Sequence, residues 1–192
     1  MAAVPGSPGA AHAALAAATP AGAAALAHAA GFTLTSPGIK PGATLTDAQV
    51  FNGFGCSGKN ISPELKWSGA PAGTKSFAVT VYDPDAPTGS GWWHWLVINL
   101  PAGSTGLAEG AGSADGKGMP AGALHGRTDF GAPGFGGACP PKGDKPHRYV
   151  FTVYALKVDK LDVPADATAA LIGFMLNANK LGKASFTAKY GR

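Results

Sequence analysis

Charge is scarce in this sequence, and cysteine scarcer still. Only 14% of the 192 residues are Asp, Glu, Lys or Arg, too few for long solvated helices. With 29 glycines and 16 prolines beside them, the composition points to one compact fold rich in turns. The formal net charge of +4 is not gathered into any Lys/Arg-rich run, so no nucleic-acid partner is expected. A mild positive field favours anionic ligands or an anionic membrane surface without choosing between them. The two cysteines, Cys56 and Cys139, form no C-x-x-C pair, which argues against a zinc or redox motif and leaves one disulfide or two free thiols. No run of about 18 bulky apolar residues is present, so no transmembrane helix is expected. Neither Gly-x-Gly-x-x-Gly nor a Walker lysine pattern occurs, and nucleotide binding through those devices is unsupported. No metal, no cofactor and no internal repeat is expected.

Residues 1–39 contain no charged side chain at all. Residues 1–31 read as an alanine-rich leader, broken by Pro5, Pro8 and Pro20. Within it Gly22 to Ala30 resembles a weak secretory segment ending in the small-x-small site Ala27-His28-Ala29. A basic start is missing, because the first lysine is Lys40. A disordered leader, a misplaced start codon and an export signal all remain open, and with them cytoplasmic and exported locations.

A single domain is expected over 32–192. Phe32 to Ser36 (FTLTS) reads as a strand, and Ile61 to Ser68 as a short extended segment. Three stronger strands follow: Ser76 to Tyr82 (SFAVTVY), Trp92 to Leu100 (WWHWLVINL) and Arg148 to Leu156 (RYVFTVYAL). All are β-branched and aromatic, and all are bounded by Gly, Pro or Asp. A long Gly-rich loop covers Pro101 to Pro146, a length that usually marks a functional or disordered segment. Ala165 to Lys180 predicts one helix, with Asp166 as N-cap, an apolar stripe of Leu171, Phe174, Met175 and Ala178, and Gly182 as the stop. A last strand is expected over Ala184 to Tyr190.

Three clusters carry chemistry. In Asp83-Pro84-Asp85-Ala86-Pro87, the period-2 alternation puts Asp83 on the face of Phe77, Val79 and Val81. An acid at the rim of an apolar face needs partners, or else the segment is simply a strand-capping turn. In Trp92-Trp93-His94-Trp95, the same alternation aligns Trp92, His94, Leu96 and Ile98, so His94 is either a hydrogen-bonded core residue or a functional one. In Cys139 to Tyr149, His147 and Tyr149 share a face with Phe151 and Val153. Upstream, Gly134-Phe135-Gly136-Gly137 permits close backbone approach and could form an anion nest.

DPDAP, then a Trp-His strand, then GG-x-C-PP-x-GDKPHRY running into FTVYAL resembles the phosphatidylethanolamine-binding protein (PEBP) family, in its bacterial Raf-kinase-inhibitor-like branch. The match spans about Phe32 to Tyr190. The resemblance implies a mainly β, sandwich-like fold with one main helix, long Gly/Pro-rich loops and a small anion pocket. Asp83, His94, His147 and Tyr149 match the pocket side chains, and the Cys139 backbone N–H the amide contact. Asp85 and Pro87 would stand just behind them. The implied guest is a phosphate, acetate or phospholipid head group, and the implied partner a kinase or protease that the protein regulates. Asp83 would repel a dianion, so it is expected to orient a histidine. Binding is expected to strengthen as pH falls from about 7.5 to 6 through a pocket histidine near its ordinary pKa. The family also implies a cis Ala86–Pro87 bond, and a Cys56–Cys139 disulfide if the protein is exported. Where eukaryotic members carry a C-terminal helix beside the pocket, this chain reads as strand, with Tyr190 a strand residue. That implies more open access, or control by a homodimer partner. A hydrolase of phosphate or carboxylic esters is the competing reading, weakened by the lack of an obvious nucleophile or metal triad.

Overall fold

The structure, a computed structural model, describes Ala3 and residues 31–192; the expected leader therefore lies almost wholly outside the described residues. In chain order the elements are β1 (Thr33–Thr35), β2 (Asn52–Gly53), β3 (Cys56–Ser57), β4 (Leu65–Ser68), β5 (Ser76–Asp83), β6 (Trp92–Pro101), β7 (Gly106–Leu107), β8 (Leu124–His125), β9 (His147–Leu156), α1 (Ala169–Asn179) and β10 (Lys180–Tyr190). The three apolar runs form the middle of a five-stranded antiparallel sheet ordered β10-β9-β5-β6-β8. A three-stranded sheet, β1-β4-β7, covers one face. There Phe77, Val79, Val81, Phe151 and Val153 pack with Leu34, Leu65, Trp67 and Leu107. On the opposite face Ala78, Leu96, Ile98 and Leu156 pack against Leu161 and the α1 residues Ile172 and Leu176. Burial on both faces explains why these strands read as near-continuous apolar runs. The mainly β architecture with one α-helix among the described residues is the one the resemblance implied.

Two bulges set the faces of β6. Val81 pairs with Trp95 and Tyr82 with Trp93, which leaves His94 without a partner on β5. Further along, Phe77 pairs with Leu100 and Val79 with Val97, with Asn99 in the left-handed region at φ 60°. An extra residue in one strand re-aims the side chains on either side of it. The alternation expected for Trp92, His94, Leu96 and Ile98 therefore breaks. Trp92 and His94 reach the pocket, while Leu96 and Ile98 pack on the helix side.

The helix also departs from expectation. Pro164 and Ala167 close a turn (Ala167 N–H to Pro164 O, 3.0 Å), which occupies Asp166. Thr168 is the cap instead, its hydroxyl accepting from the Leu171 N–H at 3.2 Å. The buried stripe is Ala169, Ile172 and Leu176, whereas Leu171 and Phe174 are exposed. On an almost uniformly apolar segment, two stripes fit the helical period equally well, and contact with the sheet decides between them. Gly182 does not stop the helix; it lies at a bulge inside β10, which begins directly after α1. No described helix is long and apolar enough to cross a membrane.

The 101–146 segment is not structureless. It contributes β7 and β8 and is fastened by backbone hydrogen bonds, among them Gly136 N–H to His94 O at 2.8 Å and Ala138 N–H to Gln49 O at 3.0 Å. Gly137 sits where two backbones touch: a Cβ there would lie 2.3 Å from Gln49 O and 2.7 Å from Phe51 N. Gly137→Ala should therefore cost about 3 kcal/mol through backbone displacement. Gly103→Ala, where nothing lies within 4 Å, should stay within about 0.5 kcal/mol. Urea denaturation of both variants checks this.

Candidate functional site

Antiparallel pairing brings the end of β5 beside the starts of β6 and β9, with Asp83 opposite Trp92 and Tyr82 opposite Val150. One pocket of about 210 Å³ opens there, and Asp83, His94, Cys139, His147 and Tyr149 all line it. Topology thus gathers five residues that sequence spacing alone could not join. Pro87 also lines the pocket. Asp85 stands beside it, accepting from the Arg148 backbone N–H at 2.9 Å and from its guanidinium at 2.9 and 2.7 Å. The hydrogen bonds from that guanidinium lower the Asp85 pKa to about 2 and pin the first residues of β9.

Asp83 is 2% exposed, and its oxygens are fully engaged. Oδ1 accepts the N–H groups of Asp85 and Ala86 at 2.8 and 3.2 Å, and Oδ2 lies 2.7 Å from His147 Nδ1. A carboxylate can only accept, so Nδ1 carries a hydrogen and Nε2 faces Asp144, 3.4 Å away. Asp83 therefore closes the turn and fixes the His147 ring. The turn needs no cis bond: Ala86–Pro87 is trans, contrary to the family-based expectation. The Asp83 bonds to Asp85 and Ala86, with Thr88 N–H on Ala86 O at 2.8 Å, already hold the chain.

His94 is buried, with Nδ1 2.7 Å from the Gly136 carbonyl. That carbonyl also accepts only, so Nδ1 is protonated and Nε2 presents a lone pair. Desolvation holds the His94 pKa below its ordinary 6.5, outweighing the Gly136 bond and the charge of Asp83. His94 therefore cannot supply the proton-linked binding expected of a near-ordinary pocket histidine. It has a consequence for stability instead. The unfolded chain takes up the proton first as pH falls through 6.5, so the contribution is full above that value and is lost toward the folded-state pKa. Wild-type stability should fall between pH 6.5 and 5 more steeply than that of His94→Asn. Because burial depresses His125 as well, the comparison is between the two slopes, measured by denaturation across pH.

Two donors in the pocket walls have no partner. The Tyr149 hydroxyl and the Trp92 indole N–H are buried, and neither donates to an acceptor among the described residues. Tyr149 is 1% exposed; burial, then the nearby Asp83 charge, drives its pKa well above the usual phenol value, while the Cys139 backbone N–H faces its oxygen. The anion nest expected over Gly134–Gly137 is not available, because the N–H groups of Phe135, Gly136 and Gly137, like that of Ala138 after them, are already engaged. Those N–H groups go to Gly112, His94 and Gln49 carbonyls and, for Gly137, to Asn60 Oδ1 at 2.7 Å. Cys139 is joined to Cys56 in a disulfide. Sequence reasoning missed Phe54 and Phe130, which complete the wall. Both lie in Gly-rich stretches without periodicity, and only their aromatic character marks them.

Comparison with known proteins gives a consistent picture. The family described as phosphatidylethanolamine-binding protein matches residues 35–191. The UPF0098 protein YbcL of Escherichia coli is 62% identical over 164 residues, covering 85% of this chain and 90% of YbcL. The UPF0098 protein YbhB of the same organism is 53% identical over 157 residues, covering 82% and 98%. The crystal structure of E. coli YbcL, presented as a new member of the mammalian PEBP family, superposes with a TM-score of 0.83 at 61% identity, covering 85% of this chain and 99% of that one. The PEBP homologue CT736 of Chlamydia trachomatis gives 0.70 at 30% identity, covering 84% and 98%.

Proposed function

The chain belongs to the phosphatidylethanolamine-binding protein family, and from that premise we propose that its pocket holds a small phosphate-bearing anion, a free monoester or the phosphate of a lipid head group. The observation that carries this reading is the pair of unpartnered donors, the Tyr149 hydroxyl and the Trp92 N–H. A buried donor without an acceptor costs about 1–3 kcal/mol, a cost that a bound oxyanion removes. The Cys139 N–H faces the Tyr149 oxygen and so turns the Tyr149 hydrogen toward the guest.

His94 Nε2 offers the reverse, an acceptor. A phosphate monoester monoanion matches the whole set: its two bare oxygens accept from Tyr149 and Trp92, and its P–OH donates to His94, whereas a diester head group has no P–OH and leaves His94 without that bond. The engaged Asp83 carboxylate disfavours a dianion. Binding at pH 7.5 therefore takes up a proton, because monoesters are mostly dianionic above a pKa of about 6. The pH dependence thus moves from a pocket histidine to the guest.

Isothermal titration with inorganic phosphate and phosphoethanolamine tests this. His94→Ala and His147→Ala should weaken both by about tenfold or more. The wild-type binding enthalpy at pH 7.5 should vary with the buffer's ionisation enthalpy. Wild-type affinity in both variants would sink the reading. Co-sedimentation with phosphatidylethanolamine vesicles, against phosphatidylcholine vesicles, separates a head group from a free ester.

Hydrolysis finds less support. The sulfur at the wall is tied up in the disulfide, and burial keeps Tyr149 from becoming a phenolate. No turnover of p-nitrophenyl phosphate is expected. Turnover that disappears in His94→Ala would favour the enzyme.

A further inference from the structure

We propose that Asn60, which does not line the pocket, is the positioning residue that sets the tautomer of His94; its effect on affinity rests on the oxyanion reading above. Asn60 lies between β3 and β4. Its backbone is in the left-handed region at φ 54°, which asparagine adopts more readily than most residues. That backbone is anchored to the segment before β2. Asn60 N–H donates to Val50 O at 2.9 Å, and Ile61 N–H to Ala48 O at 2.7 Å. From this anchor the side chain crosses to the Gly-rich stretch before Cys139. Nδ2 donates to Phe135 O at 3.1 Å, and Oδ1 accepts from Gly137 N–H at 2.7 Å. A carbonyl only accepts and an N–H only donates, so the amide fits one way round.

His94 holds the opposite ends of the same two peptide planes. Phe135 O and Gly136 N–H belong to one plane, and that N–H donates to His94 O at 2.8 Å. Gly136 O and Gly137 N–H belong to the next, and that carbonyl faces His94 Nδ1 at 2.7 Å. In a planar trans peptide the C=O and N–H point opposite ways. Fixing one end therefore fixes the other.

The Gly136–Gly137 plane needs such a hold. A Cβ at Gly136 would lie 2.3 Å from Phe130 Cε2, and one at Gly137 2.3 Å from Gln49 O. The close fit demands glycine on both sides, and glycine gives the plane little preference of its own. Turned over, it would present its N–H to His94. Nδ1 would then have to accept, and the ring hydrogen would move to Nε2. The pocket would gain a donor and lose its acceptor. Asn60 Oδ1 opposes this, because it would then face a carbonyl.

NMR of protein labelled with nitrogen-15 histidine tests the assignment at pH 7.5, where burial keeps His94 neutral. Long-range proton–nitrogen correlations show which ring nitrogen carries the hydrogen, and His94→Asn identifies the signal. Wild type should show Nδ1–H alone. Asn60→Gly keeps the left-handed backbone and should admit the Nε2–H tautomer, with inorganic phosphate bound about tenfold more weakly. Asn60→Asp keeps an oxygen for Gly137 N–H and should retain Nδ1–H. Asn99→Gly is the matched control. Asn99 is also left-handed, at φ 60°, and bridges backbone on the helix side, accepting from Leu161 N–H at 2.7 Å and donating to Leu161 O at 3.5 Å. Its loss should lower the melting temperature and leave both tautomer and affinity unchanged. Three results overturn the role of Asn60: Nε2–H in wild type or Asn60→Asp, Nδ1–H alone in Asn60→Gly, or an equal shift in Asn99→Gly. Failure of inorganic phosphate to bind wild type, with the tautomers as expected, overturns the oxyanion reading instead.

Discussion

Asp83→Ala is expected to lower unfolding stability by about 3–5 kcal/mol and to abolish measurable phosphate binding. The carboxylate answers three hydrogens, two from the backbone at Asp85 and Ala86 and one from His147 Nδ1. At 2% exposure no bulk water replaces it. Truncation orphans all three donors, frees the 83–87 turn and releases the His147 ring. Asp83→Asn is the instructive companion. Its amide oxygen can still accept from the two backbone N–H groups, and its NH₂ can donate to His147 once that ring adopts the other tautomer. A loss of only about 1–2 kcal/mol is expected for it. Urea denaturation at pH 7 checks both variants. Losses below about 1 kcal/mol for Asp83→Ala would mean that Asp83 does not hold the site together.

The second large effect concerns the disulfide. Cys56 and Cys139 are 83 residues apart, and closing a loop of that length removes enough denatured-chain entropy to stabilise the fold by about 4 kcal/mol. The double variant Cys56→Ala/Cys139→Ala should lose roughly that much. It should also loosen two parts of the site together, the Cys139 N–H and the Phe54 hairpin. Weaker phosphate binding is therefore expected beside the lower melting temperature. A variant that melts near wild type would show the link to be dispensable. Thiol counting on denatured, unreduced protein from its native compartment tests whether the pair is oxidised there.

The strands β5, β6 and β9 were legible because sheets buried on both faces need long β-branched and aromatic runs. The shared face of Asp83 with Val81, and of His147 with Tyr149, followed from simple alternation and holds in the structure. His94 was harder. Its pocket position depends on a bulge that no local pattern announces, since one inserted residue shifts the alternation for Leu96 and Ile98. The start of α1 differs from the expectation because Asp166 and Thr168 are both acceptable caps, and the four-residue turn from Pro164 to Ala167 decides between them. The Gly-rich stretch before Cys139 reads as an anion nest. Its N–H groups are in fact spent on long-range partners such as Asn60, a pairing that only the folded chain reveals. Phe54 and Phe130 lay among glycines, where periodicity carries no information. The convergence of the pocket residues came from family resemblance before antiparallel pairing explained it.

The central claim is that an oxyanion is the missing partner of the pocket's orphaned donors. Tyr149→Phe tests it most directly, because it removes one buried hydroxyl whose hydrogen finds no acceptor among the described residues and keeps the ring. Phosphate titration and thermal melting of this variant against wild type form one paired measurement. The account predicts affinity weakened by about tenfold with a melting temperature unchanged or raised. A wild-type affinity for phosphate, or a clear loss of stability without ligand, would contradict it.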